Sequence, residues 1–139
     1  GVMTSMGDGV YKSEDAGATW DHIGLDFSRH IANVEIHPSD PNLIYVAVQG
    51  AQYGPSSDRG IYRTKNGGKS WEKVLYLTDI TGAASLSMDK NNPRILYAAM
   101  WQHERLPWQM KSGGEKSGLY KSTDGGFKWK LVSTKNCMR

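Results

Sequence analysis

Short runs of alternating apolar and polar residues dominate the chain, and none sustains the three-to-four-residue spacing of an amphipathic helix. Residues 9–13 (Gly-Val-Tyr-Lys-Ser) alternate as a half-buried strand does, and a second strand starts at Thr19-Trp20 and runs toward Ile23. Asp15-Ala-Gly17 lies between them and suits a tight hairpin: glycine tolerates positive φ, and the Asp side chain can accept hydrogen bonds from turn amides. Applied along the chain, the same pattern predicts strands near 31–36, 43–48, 60–64, 70–74, 83–88, 95–100, 118–122 and 128–132, after a half unit near 9–13 and 19–23.

These strands repeat. Gly9-Val-Tyr-Lys-Ser-Glu-Asp-Ala-Gly-Ala-Thr-Trp20, Gly60-Ile-Tyr-Arg-Thr-Lys-Asn-Gly-Gly-Lys-Ser-Trp71 and Gly118-Leu-Tyr-Lys-Ser-Thr-Asp-Gly-Gly-Phe-Lys-Trp129 align without gaps, and the first and third share seven of twelve residues. Between them, 34–47 matches 86–99, each with an Asn- and Pro-bearing turn ahead of Ile/Leu-Tyr-x-Ala. The first element recurs after 51 and then 58 residues and the second after 52, so the 99–118 connection carries an insertion. Four short antiparallel strands in about 50 residues are the sequence signature of a β-propeller blade. The expected fold is all-β, about two and a half blades of an incomplete ring: a half blade at about 1–26, a blade at about 27–77 and a blade at about 78–135.

Composition narrows the function. Hydrophobic residues make up 38% of the 139, below the roughly 45–50% of an ordinary globular domain, so the core must lean on Trp and Tyr. No apolar run approaches the roughly 18 residues of a membrane-spanning helix. The net charge of +3 is spread as isolated Lys and Arg, which does not suggest nucleic acid. His22, His30, His37 and His103 have no metal-ligand spacing, and Cys137 has no partner, so neither a metal nor a cofactor is expected. No nucleophile elbow, phosphate loop or dinucleotide fingerprint occurs. Gly1 is not a natural start, so upstream sequence is expected.

Ser13-x-Asp15-x-Gly17-x-Thr19-Trp20 resembles the Asp box, or BNR repeat, of sialidase-type propellers. Ser122-x-Asp124-x-Gly126-x-Lys128-Trp129 matches it except at Lys128, and Thr64-x-Asn66-x-Gly68-x-Ser70-Trp71 is a conservative variant. With the Asn/Asp-Pro-x-x-Ile/Leu-Tyr-x-Ala element, these cover nearly the whole chain and look most like sortilin-like bacterial propellers labelled BNR-repeat glycosyl hydrolases. Xyloglucanase-type hydrolases and photosystem II assembly-factor-like proteins carry related repeats, so the resemblance speaks for architecture more than activity. A secreted or periplasmic location follows from the resemblance alone. The repeated Asp, Asn, Ser and Thr of these boxes are read as a folding device, with Trp20, Trp71 and Trp129 packing beneath their hairpins.

Antiparallel strand order sends successive connections to alternate ends of each sheet. The stereotyped turns share one end, and the longer connections 22–30, 49–59, 75–82 and 101–117 share the other, where binding residues on repeat scaffolds usually lie. Trp101, His103, Glu104, Arg105 and Trp108 are candidates to hold a sugar ring or a peptide, joined by Arg29, Arg59, Asp58 and Asp79. The arginines resemble the carboxylate-holding cluster of sialidases, and Asp58 or Asp79 could supply one carboxylate of a glycosidase pair. Three functions stay open: a non-catalytic segment binding a glycan or peptide, part of a xyloglucanase- or sialidase-like hydrolase, and a protein-binding propeller. A ring of four to eight blades cannot close within 139 residues, so self-association through exposed blade faces is expected.

Overall fold

The computed structural model describes residues 2–5, 10–13, 15, 17–19, 21–24, 31–50, 58–78, 81–102 and 117–134. Their strands form three antiparallel sheets, each a meander in which neighbours in sequence are neighbours in space. Sheet A holds β1 (Val2–Ser5), β2 (Val10–Ser13) and β3 (Asp21–Gly24). Sheet B holds β4 (Ile31–His37), β5 (Asp40–Val48), β6 (Gly60–Thr64) and β7 (Glu72–Leu75). Sheet C holds β8 (Thr81–Met88), β9 (Leu96–Gln102), β10 (Gly118–Ser122) and β11 (Lys130–Thr134).

The repeat is preserved in the register. Tyr45 faces Arg63 and Ala47 faces Ile61 across β5 and β6, and Tyr97 faces Lys121 and Ala99 faces Leu119 across β9 and β10. The last strand pair of each sheet shifts register at the same place, between Val10 and Tyr11, Ile61 and Tyr62, and Leu119 and Tyr120. A bulge recurring at one position is a feature of the blade, adding twist where the last strand turns away.

Two differences from the pattern-based expectation have physical causes. Sheet A carries a strand, β1, that the half unit did not include, because four residues offer too little alternation to stand out. The third hairpin strands start later than expected, at Asp21, Glu72 and Lys130, because side-chain bonds hold residues as far as Thr19, Ser70 and Lys128 in the turns.

Sheet B is buried on both faces. Tyr45, Ala47, Ile61 and Leu75 pack against Ala83, Leu86, Met88, Leu96, Ala98, Met100 and Tyr120 of sheet C. Ile44, Val46, Val48 and Tyr62 form a second cluster on the opposite face, with Ile31, Val34, Ile36 and Trp71 against it. Each large side chain buried in this way contributes about 1.5–3 kcal/mol. Trp71 reaches sheet A, where a Cβ on Gly24 would collide with its indole.

Polar contacts fix how B and C meet. The Asn33 side chain donates to the Leu86 carbonyl at 2.7 Å and accepts from the Leu86 amide at 2.8 Å, completing the pairing of a backbone group from the neighbouring sheet. Lys90 pairs with Glu35 at 3.0 Å. At Gly82 the backbones come so close that any Cβ would run into the Gln49 carbonyl.

Candidate functional site

The hairpin turns are built alike from the side chains upward. Ser13, Thr64 and Ser122 are buried, and each hydroxyl donates to the acid or amide two residues on, at 2.8 Å in all three. The same oxygens accept from the amides of Gly17, Gly68 and Gly126 at 2.8, 2.9 and 2.8 Å. Those glycines have φ of 93°, 96° and 99°, the left-handed region that a side chain would strain. Asp15, Asn66 and Asp124 then accept from the amides of Thr19, Ser70 and Lys128 at 2.8, 3.0 and 3.0 Å.

The three differ at the last contact. The Thr19 hydroxyl donates to the second Asp15 oxygen at 2.6 Å, whereas in the middle turn the Asn66 amide nitrogen donates to Ser70 Oγ at 2.8 Å. Lys128 has no hydroxyl to offer. The Thr19 hydroxyl is accordingly the leading cause that lowers the Asp15 pKa to about 2, followed by the Thr19 amide and Ser13. Asp124 is lowered chiefly by the Lys128 amide and then by Ser122. Both carboxylates are engaged within their own turns, which is a structural role and not that of a general acid.

A pH dependence follows. Asp15 ionises at about 2 when folded, against 3.8 for the free group, and Asp124 is shifted the same way. Their contribution to stability is therefore full above roughly pH 4 and is lost as pH falls toward 2. Urea melts between pH 5 and 2 should show this loss, and Asp15→Asn should flatten the profile. An unchanged slope in that variant would show that the turn carboxylate is not linked to folding.

The turn of sheet C also makes the contact with sheet B. The Gly125 carbonyl accepts from Tyr45 Oη and from Arg63 Nη1, both at 2.7 Å. Arg63 turns its Nε and Nη2 to Glu72 Oε1, at 2.7 and 2.5 Å, and Phe127 lies over the guanidinium at 4.7 Å. Burial raises the Tyr45 pKa, and the Arg63 charge only partly opposes this, so the phenol remains a donor. A cleft of about 260 Å³ lies alongside, lined by Arg63, Lys65, Asn66, Ser70, Trp71 and Glu72. The sequence reading did not single out Arg63 and Glu72. The available signal was their opposition across β6 and β7, where sheet C has Lys121 opposite Lys130.

At the other end of the sheets stand the loop-side candidates. Arg59 is 1% exposed, donates to the Gln49 carbonyl and lies against Gly50, so it ties together the two ends of the 49–59 connection. Asp58 is half-buried beside it, and its charge adds to the burial that pushes the Tyr62 phenol up. Trp101 is half-buried near the end of β9, opposite Gly82. Strand direction brings Asp58, Arg59 and Trp101 to the same end. Trp20, Arg29, Asp79, His103, Glu104, Arg105 and Trp108 lie outside the described residues. Among the described residues no three His, Cys, Asp or Glu side chains gather as metal ligands.

Comparison with known proteins agrees with this architecture. The xyloglucanase Xgh74A of Acetivibrio thermocellus is 27% identical over 91% of this chain, which spans 15% of that protein's length. The vacuolar protein sorting/targeting protein 10 of Colletotrichum graminicola is 36% identical over 46% of the chain, which spans 4% of its length. The crystal structure of an ancestral GH74 enzyme superposes with a TM-score of 0.66 at 25% identity, over 93% of this chain and 16% of that one. The repeated sheets are thus blades of a β-propeller segment. The Sortilin-Vps10 family model, described as sortilin, neurotensin receptor 3, runs through all three of them, over residues 4–138, and the chain belongs to that family.

Proposed function

We propose that this chain is a non-catalytic blade segment of a larger secreted propeller protein, which binds a β-glucan of the xyloglucan type through its variable connections. The supporting observation is the division of labour between the two ends of the sheets. The stereotyped turns engage their carboxylates internally, while Trp101 stands half-buried at the end where the unequal connections emerge. A Trp face suits a sugar ring, and His103, Glu104, Arg105 and Trp108 follow it in the longest connection, with Arg29, Asp58, Arg59 and Asp79 on the neighbouring ones. The turns themselves are Asp boxes in this reading. Titration calorimetry with xyloglucan oligosaccharides should show binding that weakens at least ~10-fold in Trp101→Ala, a loss of about 1.4 kcal/mol. Binding unchanged in that variant, or no binding by the wild-type chain, would refute the proposal.

The alignment of 91% of the chain with a xyloglucanase favours a second reading, in which these blades form part of a glycoside hydrolase site. Such a site needs two carboxylates about 5–9.5 Å apart, and Asp58 and Asp79 are the candidates from this chain. Loss of xyloglucan hydrolysis by the full-length protein on Asp58→Asn or Asp79→Asn, with oligosaccharide binding retained, would select it.

A further inference from the structure

The outer face of sheet C repeats a surface that, one blade earlier, is covered. On β9, Leu96, Ala98 and Met100 point into the core at 0% exposure, while Tyr97, Ala99 and Trp101 alternate with them and are half-buried. On β10, Leu119 and Lys121 share that outer face. Their equivalents in sheet B are Tyr45, Ala47, Ile61 and Arg63, which a neighbouring sheet brings to 2%, 0%, 0% and 3%. Val132, at 46% exposure, corresponds to Val74, which packs against the core. Sheet C therefore presents, uncovered, the residue pattern that in sheet B receives a blade.

The other end of the molecule carries the matching part. The turn that docks on sheet B belongs to sheet C, with Gly126 buried and the Gly125 carbonyl held by Tyr45 and Arg63. The equivalent turn of sheet A makes the same internal bonds, but Asp15, Gly17, Ala18 and Thr19 are exposed. Charge separates this pairing from a generic blade contact. In sheet B, Arg63 has Glu72 opposite it; in sheet C, Lys121 has Lys130 opposite it, two cations side by side. A turn carrying an ionised Asp15 is the complement that surface lacks.

We propose that the outer face of sheet C is the docking surface for a second copy of this chain, which enters with the sheet A turn that carries Asp15. The contact is head-to-tail, so it either closes a ring or grows. Two copies of three sheets make a ring of six, inside the four-to-eight range of closed propellers. Tyr97 Oη and Lys121 Nζ take the places of Tyr45 and Arg63 as donors to the incoming turn.

Sedimentation equilibrium of the chain at micromolar concentration should give twice its 15.4 kDa. Tyr97→Asp and Ala18→Asp should each raise the dissociation constant at least ~10-fold with the circular dichroism spectrum unchanged. Neither position is in a buried core cluster, so the fold is expected to survive both. A one-to-one mixture of the two variants retains one intact contact and should associate more strongly than either variant alone. A monomer at all accessible concentrations would overturn the proposal, as would a dimer indifferent to Tyr97→Asp or a mixture that fails to associate. Open oligomers larger than two would overturn the six-sheet closure.

Discussion

Tyr45→Ala is expected to destabilise the chain by about 3–5 kcal/mol, the usual cost of deleting a large buried aromatic ring. The ring is 2% exposed and belongs to the cluster between sheets B and C, where the nearest atoms to Gly125 and Gly126 include its own. Its removal leaves a cavity at the blade contact and deprives the Gly125 carbonyl of one of two donors. Tyr45→Phe isolates the hydroxyl and should cost about 0.5–1.5 kcal/mol. Because Arg63 donates to the same carbonyl, Tyr45→Phe combined with Arg63→Met should be non-additive by about 0.5–3 kcal/mol. Urea denaturation of the four chains measures this cycle. Additive losses would show that the two donors do not share the load at Gly125, and a Tyr45→Ala chain of wild-type stability would refute the blade contact.

The repeat made most of the architecture readable before any coordinates. Twelve-residue segments ending in Trp implied hairpins, and their spacing implied four-stranded sheets, because each blade solves the same packing problem with the same residues. The carboxylates were read as turn devices, and their hydrogen bonds to Thr19 and Lys128 amides have that form. What escaped was whatever differs from blade to blade. Arg63 and Arg59 look like ordinary surface cations in sequence, yet both are buried, one against a neighbouring turn and the other across the base of its own connection. Burial of a cation depends on which carbonyls the fold brings within reach, and periodicity carries no record of that. The candidate site was legible only as a location. Strand direction places Asp58, Arg59 and Trp101 at one end, but alternation along a strand cannot tell that Arg59 turns inward to Gln49.

Trp129→Ala should cost a comparable 3 kcal/mol or so, toward the lower end of the range for Trp deletion, since the indole is half-buried. Its role is distinct from that of Tyr45. The ring packs against the B–C core from the turn side, and its Nε1 donates to the Gly126 carbonyl at 2.9 Å. It therefore clamps the turn whose neighbouring Gly125 carbonyl meets Arg63 and Tyr45. Losing the indole should loosen the turn and the sheet contact together. Trp129→Phe separates these effects, keeping most of the packing while deleting the donor, and should cost about 1–2 kcal/mol. Hydrogen exchange gives the second readout. In Trp129→Phe the Gly126 and Lys128 amides, which bond to Ser122 and Asp124, should lose protection before the strand amides of β9 do. Uniform loss across sheet C would mean that Trp129 acts through general packing alone, and full thermal stability in Trp129→Ala would mean that the indole does not hold the hairpin at all.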